Sequence, residues 1–215
     1  MLRTIYAQIR SSGNSINLKG KDNSIYRSQA ILKSCKIHVE GNQNTICIDR
    51  GAYLQEVKIH LKGDNLKLNI GRSVFIGNGS ILWMENSKSL LDIGEYSSLE
   101  KVGIAVAEGK DVMIGKDCMF SYDVDIRCSD SHGIFDLETK SRINPAANIL
   151  IGDHVWIGAK SMILKGANIG SGTVIGAGSI VTKNVDNNSI AAGIPAQILK
   201  SNIIWDRSRY LDKEI

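Results

Sequence analysis

Residues 151–185 read IGDHVWIGAKSMILKGANIGSGTVIGAGSIVTKNV, and this stretch decides the fold. An aliphatic residue recurs at every sixth position, at Ile151, Ile157, Ile163, Ile169, Ile175 and Val181. A period of six fits neither an α-helix nor the simple alternation of a surface strand. It predicts a coil of short strands joined by bends, in which each coil covers the apolar face of the one before.

The repeat continues upstream in a looser form. Ile114, Phe120 and Ile126 keep the spacing of six. Asn23, Asn44 and Asn65 recur every 21 residues, which predicts enlarged coils with a stacked asparagine ladder at one turn position. The chain is therefore expected to be an all-β parallel β-helix.

The register breaks once, between Ile126 and Ile151, where the separation is not a multiple of six. The polar segment in between predicts a loop extruded from the coil, and such loops tend to carry function. The expected organisation is a lead-in (1–12), a β-helix domain (13–202) and a short helical cap in the tail (203–215). Within the domain we expect enlarged coils (13–110), regular hexapeptide coils (111–185) and the extruded loop (127–150).

Composition and charge argue against several classes of protein. The 215 residues include 21 glycines, which suit many tight bends, and carry a net charge of +4 without a basic block, which argues against a nucleic-acid partner. No apolar run reaches the roughly 20 residues of a membrane span, and the first ten residues lack the apolar stretch of a signal peptide. The four cysteines form no C-x-x-C pair, so we expect reduced thiols and a cytoplasmic protein.

The extruded loop contains the best candidate for chemistry. Its His132 is suited to act as a general base near neutral pH, and Asp130, two residues away, is expected to orient the ring. The other histidines, His38, His60 and His154, are interpreted as structural. No zinc-ligand spacing occurs, so no metal is expected.

Two other residue types stand out near the end of the repeat. Trp156 is too large for a narrow aliphatic core and is expected to point outward, where it would wall a pocket or fill a subunit contact. Lys183 and Lys200 could offer positive charge to a phosphate, although a solvated role is equally open for each.

The 151–185 repeat, the following SIAAGIPAQILK and a loop histidine 24 residues before Trp156 together resemble the hexapeptide-repeat acetyltransferases. The likeness is to the maltose and galactoside branch and to capsular or lipopolysaccharide O-acetyltransferases. It implies a left-handed parallel β-helix, acetyl-CoA as co-substrate, and a homotrimer with active sites between subunits. It also implies a glycan or sugar acceptor, as in polysaccharide biosynthesis.

The resemblance assigns roles residue by residue. His132 matches the catalytic base, and Trp156 matches the tryptophan beside the active site. Positions that hold coenzyme A correspond to Ala159, Ala177, Thr182, Lys183 and Lys200, whereas Gln197 lacks the charge the family often has there. For the acceptor side, spacing indicates Glu100 or Glu108, and Asn144 is an alternative to Asp130 for orienting the histidine.

Several alternatives stay open on the sequence alone. The same base would serve an N-acetyltransferase of a nucleotide-linked amino sugar, and serine or an antibiotic is a further possible acceptor. The chain could also be a non-enzymatic β-helix scaffold. A β-helix carbonic anhydrase would need three zinc histidines, which the four present are poorly placed to supply.

Overall fold

The computed structural model describes residues 13–208 and shows one continuous parallel β-helix. Its strands, in chain order, are β1 (Ser15–Lys19), β2 (Ser24–Arg27), β3 (Ile31–Lys33), β4 (Lys36–Glu40), β5 (Thr45–Ile48), β6 (Tyr53–Gln55), β7 (Lys58–Asp64), β8 (Lys67–Ile70), β9 (Phe75–Ile76), β10 (Ile81–Ser87), β11 (Leu90–Ile93), β12 (Ser98–Val106), β13 (Val112–Ile114), β14 (Met119–Arg127), β15 (Ile149–Ile151), β16 (Trp156–Ile157), β17 (Met162–Leu164), β18 (Asn168–Ile169), β19 (Val174–Ile175), β20 (Ile180–Val181), β21 (Ser189–Gly193) and β22 (Ala196–Ser201).

Three faces follow from the strand pairing. Face 1 stacks β3, β6, β9, the first parts of β12 and β14, then β16, β19 and β21. Face 2 stacks β1, β4, β7, β10, the second parts of β12 and β14, then β17 and β20. Face 3 stacks β2, β5, β8, β11, β13, β15 and β18.

Coil length changes along the axis. On face 2, Ser15 aligns with Lys36 and Lys36 with Lys58, so the upstream coils take 21–23 residues. Below the loop, Met162 aligns with Ile180, which gives the 18 residues of three hexapeptides. The asparagine ladder reflects this change: Asn44 donates to the Asn23 side chain at 3.0 Å, but the next coil is longer. Leu66 therefore takes the third rung and Asn65 becomes a left-handed turn residue.

The core is a set of aliphatic columns that run along the axis. One column on face 2 stacks Ile37, Ile59, Leu82, Ile104, Ile126, Ile163 and Val181, all of them buried. Burial of each such side chain contributes roughly 1.5–3 kcal/mol. The corners are equally tight: a Cβ on Gly63 would lie 1.4 Å from the carbonyl oxygen of Asn86 in the next coil. Backbone thus stacks on backbone at this corner, and only glycine fits.

The end of the chain differs from the expected helical cap. β22 runs antiparallel to β21, and residues 203–208 contain no helix. Ile203 and Ile204 lie instead in an extended segment that returns along the corner between faces 3 and 1, where the Ile203 amide donates to the Asn188 carbonyl. The rest of the expected cap (209–215) and the lead-in (1–12) lie outside the described residues. Over residues 13–208, no helix is long and apolar enough to cross a membrane.

Candidate active site

The extruded loop leaves the corner between face 2 and face 3. It occupies residues 128–148, between the end of β14 and the start of β15. His132 and most of its neighbours are exposed. Among the described residues, the His132 imidazole has no hydrogen-bond partner, so both ring nitrogens are available to an incoming ligand.

Asn144 organises the loop from within. Its side chain is buried, and its amide donates to the His132 carbonyl at 2.9 Å and to the Asp130 carboxylate at 2.8 Å. Its own oxygen accepts the Ile134 amide at 2.6 Å. One amide group therefore fixes the backbone on both sides of the histidine.

Asp130 does not orient the imidazole as expected. Its carboxylate accepts hydrogen bonds from Lys165 and Asn144, which lower the pKa of Asp130 in that order. Ser131, with a positive φ of 62°, separates it from His132 in a tight turn, so adjacency in sequence does not bring the two side chains together. The Asp130 carboxylate is linked to His132 only through Asn144, whose amide also donates to the His132 carbonyl.

Glu108 anchors the loop from the preceding coil. Its two carboxylate oxygens accept from the two terminal nitrogens of Arg142 at 2.5 and 3.0 Å, and one also accepts the Ser129 hydroxyl. The Arg142 hydrogen bond, followed by that of Ser129, lowers the pKa of Glu108 to about 2. Glu108 is therefore ionised and bonded to the loop, whereas the other acidic candidate, Glu100, lies at the corner between faces 1 and 2, away from the loop.

Two anchoring residues were not among the sequence candidates. Arg142 lies 34 residues from Glu108, and Lys165 lies 35 residues from Asp130. Both pairs span one coil plus the loop, so no short motif contains them. Counting coils would have placed Lys165 directly below the loop, at the same corner.

A groove runs along face 2 beside the loop. It encloses about 360 Å³ and is lined by Trp83, Ala105, Arg127, Ser129 and Ser131. Ser131 of the loop lines this groove, and the next residue, His132, is exposed beside it without being one of the lining residues. The floor is made of small residues, since Gly103 and Ala105 occupy the middle coil.

Trp156 points outward from face 1, as expected, with 38% of its surface exposed. It lies 6.0 Å, centroid to centroid, from the ring of Trp205 in the C-terminal segment. Trp205 itself stacks on His154 at 3.9 Å, and its indole donates to the His154 carbonyl at 2.9 Å. Because face 1 and the loop corner are on different sides of the prism, one chain does not bring Trp156 and His132 together.

Ala159 and Ala177 lie on consecutive coils at the corner between faces 1 and 2. The Gly178 amide donates to the Ala159 carbonyl at 2.8 Å, and no atom lies within 4 Å of a Cβ placed on Gly178. Small residues thus leave the backbone of this corner accessible.

The remaining coenzyme A candidates are more dispersed. Thr182 and Lys183 follow β20, at the corner between faces 2 and 3, and Lys200 lies in β22 opposite Ile190. All three are exposed, and the two lysines do not share a partner among the described residues. Residues 13–208 hold no cluster of three or more side chains that could bind a metal ion.

The sequence and the fold are similar to those of known proteins. Residues 148–183 match the family model "Bacterial transferase hexapeptide (six repeats)". A polysialic acid O-acetyltransferase of Neisseria meningitidis is 34% identical over 194 residues, covering 89% of each chain. One from Escherichia coli O1:K1 / APEC is 40% identical over 130 residues, which span 60% of this chain and 42% of that relative.

A solved structure matches the same fold. The polysialic acid O-acetyltransferase OatWY superposes with a TM-score of 0.89 at 33% identity, over 92% of this chain and 94% of that one. This likeness confirms the left-handed parallel β-helix. The chain therefore belongs to the hexapeptide-repeat acetyltransferases, in the group that contains the polysialic acid O-acetyltransferases.

Proposed function

We propose that the protein transfers an acetyl group from acetyl-CoA to a hydroxyl of a surface polysaccharide or its precursor, with His132 as the general base. The observation that supports this most is the construction of the loop. Asn144, Glu108 and Lys165 hold the loop, yet the His132 ring is exposed and has no hydrogen-bond partner among residues 13–208, next to Ser131, which lines a groove.

The chemistry follows from that arrangement. The imidazole removes the proton of a sugar hydroxyl as its oxygen attacks the thioester carbonyl of acetyl-CoA. The tetrahedral intermediate collapses by breaking the carbon–sulfur bond, and the imidazolium returns its proton to the leaving thiolate. General-base help of this kind contributes about 100- to 10,000-fold in rate, and holding both substrates in one cleft supplies much of the rest.

The site is completed between subunits in this proposal. Trp156 and the strip at Ala159 and Ala177 would face the histidine loop of a neighbouring copy in a homotrimer, because one chain keeps them apart. Thr182, Lys183 and Lys200 would hold the adenosine and phosphate end of coenzyme A. The acetyl transfer would take place in the cytoplasm, where acetyl-CoA is made.

Substitution of His132 by alanine tests the assignment. We expect a loss of turnover of about 100-fold or more, with the fold unchanged by circular dichroism. Glu138→Gln, an exposed change in the same loop, is the matched control and should keep full activity. Near-normal acetylation by His132→Ala would remove the histidine from the mechanism.

A binding assay tests the co-substrate separately. Acetyl-CoA at 100 times its dissociation constant should raise the free energy of unfolding by about 2.7 kcal/mol. The absence of any thermal shift at millimolar acetyl-CoA, together with no thiol release in the presence of sialic acid oligomers, would favour a non-enzymatic scaffold.

A further inference from the structure

Three aromatic side chains form a column on face 2, upstream of the groove. His38, His60 and Trp83 occupy the same position on consecutive coils and point outward. Their ring centroids are 6.1 Å apart for the first pair and 5.1 Å for the second. We call these three residues the aromatic column.

The aromatic column leads directly into the groove. Trp83 aligns with Ala105 and Ala105 with Arg127, and all three line the groove beside the His132 loop. With strands about 4.8 Å apart, the five steps from Asn17 through the column to Arg127 span about 24 Å. One step is close to the length of one sugar unit in a chain.

Two features of these rings favour contact with a sugar. The Trp83 indole donates to the Glu85 carboxylate at 3.0 Å, which fixes the ring plane. Burial, then the nearby His38 and Lys58, lower the pKa of His60, which favours the neutral form of its imidazole. Neutral rings offer a π face to the C–H groups of a sugar and a nitrogen to its hydroxyls.

The surroundings favour a negatively charged occupant. Four lysines occupy outward positions on the same strands, Lys19, Lys36, Lys58 and Lys62, against three acidic residues, Glu40, Asp64 and Glu85, which leaves an excess of one positive charge. This excess of positive charge flanks the aromatic column rather than the groove, where Asp125 pairs with Arg127 at 2.6 Å. The electrostatics thus attract an anionic chain along the coils that precede the site.

We propose that the aromatic column is an extended acceptor subsite, which binds successive units of an anionic glycan while one unit reaches His132. The inference rests on the proposed function. It assigns acceptor binding to the enlarged upstream coils. It requires that acceptors longer than the groove be bound more tightly than short ones, through the column.

Kinetics with acceptors of different length test this. The full-length chain would acetylate monomeric sialic acid and sialic acid oligomers of several lengths, with saturating acetyl-CoA. His38→Ala and His60→Ala, which lie outside the groove, should each raise KM for long oligomers about three- to tenfold, with kcat unchanged. KM for the monomer should stay the same. Tyr26→Ala, which removes an exposed aromatic from face 3 of the same part of the β-helix, should change neither.

Three outcomes overturn the proposal. An equal effect on monomer and oligomer would show that the two histidines act on the groove and not on further sugar units, and unchanged kinetics would leave the column without a role in binding. A changed oligomeric state in gel filtration would make the column a contact between copies of the chain. If the wild type acetylates no glycan, the proposed function fails, and calorimetric titration with the same oligomers still decides whether the column binds them.

Discussion

Replacing Glu108 by glutamine separates an anchoring role from a substrate-binding one. The carboxylate holds Arg142 through two hydrogen bonds and Ser129 through a third. Glutamine keeps the size but removes the charge and turns one acceptor into a donor that faces Arg142. If Glu108 is an anchor, the loop should open more often while the β-helix stays intact.

The magnitude follows from the contacts. Hydrogen bonds to charged groups contribute about 1.5–3 kcal/mol. The Glu108 and Arg142 side chains are 26% and 32% exposed, so solvent screening reduces the loss to about 1–2 kcal/mol. That corresponds to a roughly 5- to 30-fold larger opening constant for the loop.

Hydrogen exchange of two loop amides is the direct assay. The Ile134 amide donates to Asn144 and the Ile143 amide to the Ile134 carbonyl, so both report on loop closure. Both should exchange about 5- to 30-fold faster in Glu108→Gln, whereas the core amide of Ile126 should not change. Unchanged loop exchange combined with a fall in kcat would refute the reasoning and place Glu108 against the acceptor.

The pH dependence has a defined sign. The pKa of Glu108 is lowered from its ordinary 4.5 to about 2, so the anchor is complete above pH 4.5 and is lost as the pH falls towards 2. In that range the wild-type loop should approach the behaviour of Glu108→Gln. In the variant the Glu108 part of this transition should be absent, and only the protonation of Asp130, whose pKa is also lowered, should still act on the loop.

Two further substitutions test the loop support and the coil packing. Lys165→Met removes the main cause of the lowered Asp130 pKa, which should rise towards its ordinary value in a carboxyl NMR titration; an unchanged pKa would show that Asn144 alone holds it. Gly63→Ala should cost more than about 3 kcal/mol in urea unfolding, because its Cβ would meet the Asn86 carbonyl in the next coil. Gly178→Ala, with open space around it, should cost only about 1 kcal/mol, and equal losses in the two variants would contradict the packing argument.

The parts of the fold that depend on periodicity could be predicted from the sequence. Ile151 to Val181 repeat every six residues because a strand and a bend of fixed length must return each apolar side chain to the core. The loop was predictable for the same reason, since any extra residues must leave the coil where the register breaks.

The parts that depend on coil stacking could not. Asp130 is two residues from His132 in sequence but bonds to Lys165, one coil further on, because stacked corners bring distant residues together. Asn65 fits the 21-residue period but misses the ladder, since that coil has one residue more. The tail pattern at Ile203 and Ile204 suits a helix equally well until Trp205 is seen to dock on His154.

Coil length changes at the loop, and the half of the β-helix upstream of it can lengthen or shorten by whole coils. Lys36 and Lys58 are equivalent positions on neighbouring coils, so excising residues 36–57 would join Cys35 to Lys58 without shifting the register of anything downstream. Length upstream can therefore vary by one coil at a time while the loop and its anchors keep their geometry. Duplication or deletion of a single short segment can therefore change the length of polymer that such a chain contacts. The catalytic residues stay the same.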